Sequence, residues 1–216
     1  MILKGSQRAG GIQLANHLMN EADNDHVTLH ELRGFVAGDL HGAMKEAHAI
    51  SRGTKRCRQF LFSLSLNPPE RENVPVRAFE DAIAQVENKL GLSGQPRAVV
   101  FHEKEARRHC HAVWLRVDTS RMRAINLPHF KSKLRDQSRD LFLENGWKLP
   151  KGLTDKKQRD ASNFTLPEWQ QSKRTGLDPK TMKALLQGCW NKSDDLKSFQ
   201  VALEEQDFVL AKGDRS

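Results

Sequence analysis

The chain predicts an α+β fold, a largely antiparallel central sheet with helices packed on one face as a two-layer sandwich, ending in a small C-terminal helical appendage. Three observations carry that expectation. Apolar runs of strand length alternate with helical stripes through the first two thirds of the 216 residues. Two strands, about 98–101 and 112–117, follow one another across a short basic connection, so they pair as an antiparallel hairpin. Beyond Leu149-Pro150-Lys151-Gly152 strand signals stop and only helical periodicity remains, which divides the chain into residues 1–150 and 151–216.

Taken in order, Ile2-Leu3-Lys4 reads as a short opening strand, and Gly5 to Gly11 as a glycine-rich basic loop. Ile12, Leu14, Ala15, Leu18 and Met19 recur at helical spacing. Val27 to Leu32 alternates as a half-buried strand, and Asp39 is a natural N-cap for a helix running to Gly53. Phe60 to Leu66 is the clearest strand, stopped by Asn67-Pro68-Pro69. A helix then spans 76–90, with Phe79, Ile83, Val86 and Leu90 on one stripe and Gly91 near its end. After the hairpin comes a helix from about 128 to 144, then a charged stretch at 155–160 and helical segments near 166–175, 179–190 and 196–205. The expected order is strand, helix, strand, helix, strand, helix, strand, strand, helix.

The formal net charge is +8, and between positions 104 and 139 ten Lys or Arg face three acids. A basic concentration of this kind suits a polyanion, most simply nucleic acid. Cys57, Cys110 and Cys189 are odd in number and far apart, which argues for a reducing, cytoplasmic setting over a disulfide framework. No apolar run nears membrane-spanning length, so no membrane insertion is expected. There is no tyrosine.

The chemistry concentrates in His102-Glu103-Lys104-Glu105-Ala106-Arg107-Arg108-His109-Cys110-His111, an H-x-x-E-x-x-x-H-x-H pattern set between two apolar strands. Strand residues two apart share a face, so His109 and His111 present both imidazoles on one side while Cys110 faces away. His102, at the end of the preceding strand, returns beside them. Three neutral imidazoles on one sheet face suit a divalent transition metal with positions left open for substrate. Glu105 is the carboxylate nearest in sequence to serve the site, with Glu80 and Asp81 as weaker options for orienting a ligand. Arg107 and Arg108 flank the histidines as fork donors for phosphate, and Arg8 precedes the first helix where an anion could sit. Arg121, Arg123 and Lys131 extend the basic stretch. Trp147, Trp169 and Trp190 fall outside the expected core and are available to stack on bases, whereas Trp114 reads as core.

This metal-bearing hairpin, with an opening strand, glycine-rich loop and helix before it, resembles the plasmid-mobilisation relaxases of the HUH endonuclease superfamily, over about residues 1–150. The resemblance implies that His102, His109 and His111 hold a divalent ion, Mn²⁺ or Mg²⁺ first and Zn²⁺ as a further possibility. It implies a site- and strand-specific nick in single-stranded or supercoiled plasmid DNA at an origin of transfer, through a covalent 5′-phospho-enzyme that starts conjugative mobilisation. Accessory mobilisation proteins and a coupling protein would be partners. Most members use a tyrosine on the first helix as nucleophile. Here His17 stands at that position, and one relaxase class is known to use histidine. Two other readings stay open: a rolling-circle replication initiator or transposase of the same type, and a non-catalytic DNA-binding accessory factor.

Overall fold

The computed structural model describes residues 1–22, 24–70, 72–105, 107–154 and 166–211. The chain divides into two compact units, Met1–Leu149 and Pro150–Ser216. The first is built from β1 (Ile2–Arg8), α1 (Gly11–Leu18), β2 (His26–Arg33), α2 (Leu40–Arg52), β3 (Leu61–Asn67), α3 (Val76–Leu90), β4 (Arg97–Lys104), β5 (Arg107–Leu115), β6 (Val117–Asp118), β7 (Arg123–Ala124) and α4 (Phe130–Glu144). Five strands form one sheet in the order β1-β3-β5-β4-β2, every neighbouring pair antiparallel. The mixed α+β class and the antiparallel sheet are as the sequence predicts.

The layering differs. Leu14, Ala15 and Leu18 of α1 and Met44 and Ala47 of α2 pack with Val100, Val113 and Leu115 on one sheet face. On the opposite face, Phe79, Ile83 and Val86 of α3 and Leu134 and Leu141 of α4 pack with Phe62, Leu64, Phe101 and Trp114. Helices thus cover both faces, giving three layers where two were expected. The runs Phe60-Leu61-Phe62 and Ala98-Val99-Val100-Phe101 are apolar at consecutive positions, as strands buried on both sides must be. The opening strand is also longer than expected: β1 pairs with β3 from Ile2↔Asn67 to Arg8↔Leu61, so Gly5 to Arg8 is strand and not loop.

Local signals account for the elements. The Asp39 carboxylate accepts from the Gly42 N–H at 2.8 Å and caps α2. Gly91 ends α3 in the left-handed region at φ 69°, where a side chain would be strained. A Cβ at Gly11 would lie 3.2 Å from Met44, so the small residue lets α1 approach α2 closely.

One buried charge ties α3 to the sheet. Glu87 is 6% exposed, accepts from Trp114 Nε1 at 2.6 Å and Arg33 Nη2 at 2.7 Å, and forms an ion pair with Arg97 Nη1 at 2.9 Å. Removing it leaves two guanidinium groups and an indole N–H without that acceptor. Glu87→Ala is expected to cost about 3–5 kcal/mol, read as a lower urea midpoint at unchanged slope. A loss under about 1 kcal/mol would show that the cluster only breaks even against its desolvation.

The second unit contains α5 (Lys151–Thr154), α6 (Leu166–Thr175), α7 (Pro179–Asn191) and α8 (Leu196–Glu204). Asp178 caps α7, and Asp195 with Ser198 forms a capping box on α8. The segment 155–160 and the side chain of Trp169 lie outside the described residues. No helix of the described residues is long and apolar enough to cross a membrane.

Candidate metal centre and nuclease site

The hairpin β4–β5 brings the three histidines together by register. Strand pairing runs past the expected ends, to Lys104↔Arg107, so His102 lies directly opposite His109 and His111 opposite Val100. The rings stand close: 5.0 Å between the centroids of His102 and His109, 4.8 Å for His102 and His111, and 5.3 Å for His109 and His111. One nitrogen from each lies within 4.8 Å of the others, and among the described residues the three form a donor group without a carboxylate. Cys110 alternates to the opposite face and is fully buried there.

His102 is 3% exposed, and its Nε2 donates to the Leu18 carbonyl at the end of α1, 2.7 Å away. That bond fixes the tautomer and leaves Nδ1 with the free lone pair. For His102 the orienting acceptor is therefore a backbone carbonyl. Glu80 bonds His30 at 3.0 Å, and Asp81 pairs with Arg77. Glu105 sits in the hairpin turn at φ 51°, its N–H donating to Asp25. Its side chain lines a second hollow together with Glu70, Lys104, Arg107 and His109. A helix-terminal carbonyl reaching a histidine 84 positions away leaves no trace in sequence spacing.

Burial sets the protonation of the group. It lowers the pKa of His102; with repulsion from protonated His102 and from Arg107 it lowers His109 to about 4, and with repulsion among the clustered imidazoles it lowers His111 to about 3. All three imidazoles are then neutral at pH 7 with lone pairs available, the form a metal requires. The donor set fits a divalent ion.

The same shifts fix a pH dependence. The unfolded histidines take up protons below about pH 6.5 while the folded ones resist until about 4 and 3. The unfolded state thus binds more protons in that window, and stability present above about pH 6.5 is lost as pH falls through it. Metal-free protein should show a melting temperature that declines from pH 6.5 towards 4. A His109→Ala/His111→Ala protein should show a shallower decline, and equal slopes would contradict the shifts.

The triad forms one side of a cavity of about 590 Å³. Lys4, Ser65 and His111 form a row across three strands, and Asn67, Asn20, Asn24 and Arg107 complete much of the wall. His17 projects from the last turn of α1 into the same cavity, its ring centroid 6.4 Å from that of His111 and nearly perpendicular to it. Arg107 shares the histidine face. Its Nη2 donates to the Pro68 carbonyl at 3.0 Å, and its Nε has no partner among the described residues.

Other positions are dispersed. Arg108 alternates to the far face and pairs with Glu103 at 2.6 Å. Arg8 ends β1 and bonds Ser6, one strand residue away from the loop where it was expected. Arg121 and Arg123 lie on or beside the small β6–β7 hairpin, and Lys131 lies on α4, which packs against the opposite sheet face. The ten cations of 104–139 do not make one stripe, because strand alternation and the return of α4 distribute them. Trp147 packs on Phe142 at 5.7 Å against the core and is not a free stacking platform. Trp190 is exposed, in the second unit, with its ring against Phe199. Lys4, Ser65, Asn67, Asn20 and Asn24 line the cavity without having been singled out from sequence. Only the strand alternation Ser63, Ser65, Asn67 hinted at a polar face there.

Residues 16–147 match the nuclease domain of the MobA/VirD2-like relaxases. The chain belongs to that relaxase family. The match contains His17 and all three ligand candidates, and DNA nicking, with DNA as partner, is the activity the family carries. No curated protein and no solved structure matches the chain. Relaxases of this family use a divalent metal, and the His102, His109 and His111 group supplies a site compatible with one.

Proposed function

We propose that this relaxase nicks one strand of plasmid DNA at an origin of transfer and holds the new 5′ end on His17, to start conjugative mobilisation. The observation that carries the reading is the 6.4 Å separation of His17 and His111 within one cavity that also holds the rest of the triad. A neutral imidazole nitrogen attacks the scissile phosphorus with its lone pair. The P–O3′ bond breaks, the 3′ oxygen leaves with the electron pair and acquires a proton, and the 5′ phosphoryl group remains on His17 as a phosphoramidate. Attack by a 3′-hydroxyl on that phosphorus reverses the step and rejoins the strand. Arg107, on the same face, orients the phosphate through Nη1, which has only the exposed Glu70 near it at 3.9 Å. Glu105 sits beside the centre as a neighbour and not a ligand, sharing the adjoining hollow with His109.

His102, His109 and His111 are assigned the ion, and three nitrogen donors without a carboxylate favour Mn²⁺ or Zn²⁺ over oxygen-seeking Mg²⁺. When bound, the ion polarises the non-bridging phosphate oxygens and stabilises the charge that builds up on them. Accessory mobilisation proteins and a coupling protein in the cytoplasm are the expected partners.

Relaxation of a supercoiled plasmid carrying the cognate origin tests the reading. Open circles should appear with divalent metal and vanish with chelator. Binding that leaves every supercoil in place would point to a non-catalytic accessory factor.

A further inference from the structure

A second basic site lies at the other end of β1 from the catalytic cavity. The last residue of α2, Arg52, and the loop after it, with Lys55, Arg56 and Arg58, are all exposed around a hollow of about 360 Å³. This hollow shares no lining residue with the catalytic cavity. None of the four cations has an acidic partner among the described residues, and residues 51–60 contain no Asp or Glu. The C-terminus of α2 does not explain them. A helix end carries about half a negative charge, and one arginine satisfies it. The loop is also pre-ordered: Thr54 Oγ1 donates to the Ser51 carbonyl at 2.7 Å and accepts from the Cys57 N–H at 3.1 Å.

Edge strand β1 links this hollow to the nuclease site. Ile2 and Lys4 line the catalytic cavity and Ala9 lines the basic hollow. Lys4, Ser6 and Arg8 alternate onto one face of the strand, the face Lys4 shares with Ser65 and His111. Residues 1–20 also contain no acid. From Lys4 to Ala9 the strand covers about 17 Å, the length of about five stacked nucleotides at 3.4 Å per phosphate.

We infer that the DNA strand leaving the catalytic cavity runs along the β1 edge over Lys4, Ser6 and Arg8, and that its phosphates dock in the Arg52–Arg58 loop. The identity of that strand rests on the nicking reading; the groove is tested apart from it. The contacts are to phosphate, so this site sets affinity and salt dependence and reads no sequence.

The test uses the full chain and mixed-sequence single-stranded oligonucleotides of graded length. Wild-type affinity should climb until a strand spans both sites, at about nine nucleotides. Lys55→Glu/Arg56→Glu/Arg58→Glu should gain almost nothing beyond about four nucleotides, bind long strands about tenfold or more weakly, and lose about two units of salt slope. Arg56→Gln/Arg58→Gln, a milder change on the exposed loop, should show the same pattern at smaller amplitude and guards against misfolding. Length dependence unchanged in both variants, or equal losses at every length, overturns the track. Plasmid relaxation run in parallel keeps the two ideas apart. A wild type that gains with length but does not nick sinks the nicking reading and leaves the groove, whereas a nicking wild type whose variants bind as it does sinks the groove alone.

Discussion

A His17→Ala protein is expected to leave supercoiled plasmid intact and to form no covalent complex with DNA, while binding oligonucleotides nearly as wild type does. His17 is on the last turn of α1 and is exposed, so its truncation removes no core packing and should leave the melting temperature within about a degree or two. Loss of a nucleophile removes a bond made only in the transition state, so the nicking rate should fall by a factor on the order of 10³ or more. His17→Tyr is the informative companion. A phenolate reaches a similar depth from the same helix position, and partial activity in that variant would show that the position, and not the imidazole alone, defines the nucleophile. Nicking at the wild-type rate in His17→Ala would transfer the role elsewhere. His48 is a poor heir, since it lines the basic hollow beside Phe60 and not the catalytic cavity.

Replacing His109 and His111 together by alanine is expected to abolish nicking and to remove any stabilisation of the protein by Mn²⁺ or Zn²⁺. A ligand bound only by the folded state stabilises it by about 2.7 kcal/mol at a hundred times its Kd, a rise in melting temperature that calorimetry resolves easily. The double variant should melt at one temperature with or without metal. It should still fold, because neither ring carries a hydrogen bond that the core needs, unlike His102 with its bond to Leu18. His102→Ala combines metal loss with an unsatisfied buried carbonyl, worth about 1–3 kcal/mol, so it is a poorer probe of the metal centre. Full activity in the double variant would remove the metal-site reading.

Much of this was legible in the sequence because local physics decided it. The bounds of α3, the Asp39 cap and the hairpin of β4 and β5 follow from stripe, side-chain oxygen and connection length. The placement of His17 beside the triad was legible through the resemblance, which puts the nucleophile on the first helix after the opening strand. What failed depended on partners remote in sequence. Gly5 to Arg8 looked like loop because glycine and polar residues dominate it, yet an edge strand needs only a backbone partner, and β3 supplies one through Arg8↔Leu61. Helices on both sheet faces were signalled by the unbroken apolar runs in β3 and β4, read too simply as strand strength. The bond from His102 to the Leu18 carbonyl joins residues 84 positions apart, and that from the Glu105 N–H to Asp25 joins residues 80 apart, so neither left a signal in local spacing. Arg107 and Arg108 are adjacent and were treated as a pair, whereas strand alternation sends them to opposite faces.

Whether His17 carries the 5′ phosphate is read from the chemistry of the covalent protein–DNA adduct. Trypsin releases His17 on the peptide 9–33, which also contains His26 and His30, so fragmentation must locate the phosphoryl group within it. A phosphoramidate is labile in acid, whereas phosphate esters of serine, threonine and tyrosine survive it. The adduct is expected to map to His17 and to be lost on brief exposure to low pH. An acid-stable adduct, or one mapped to a hydroxyl residue or to another histidine, would contradict it.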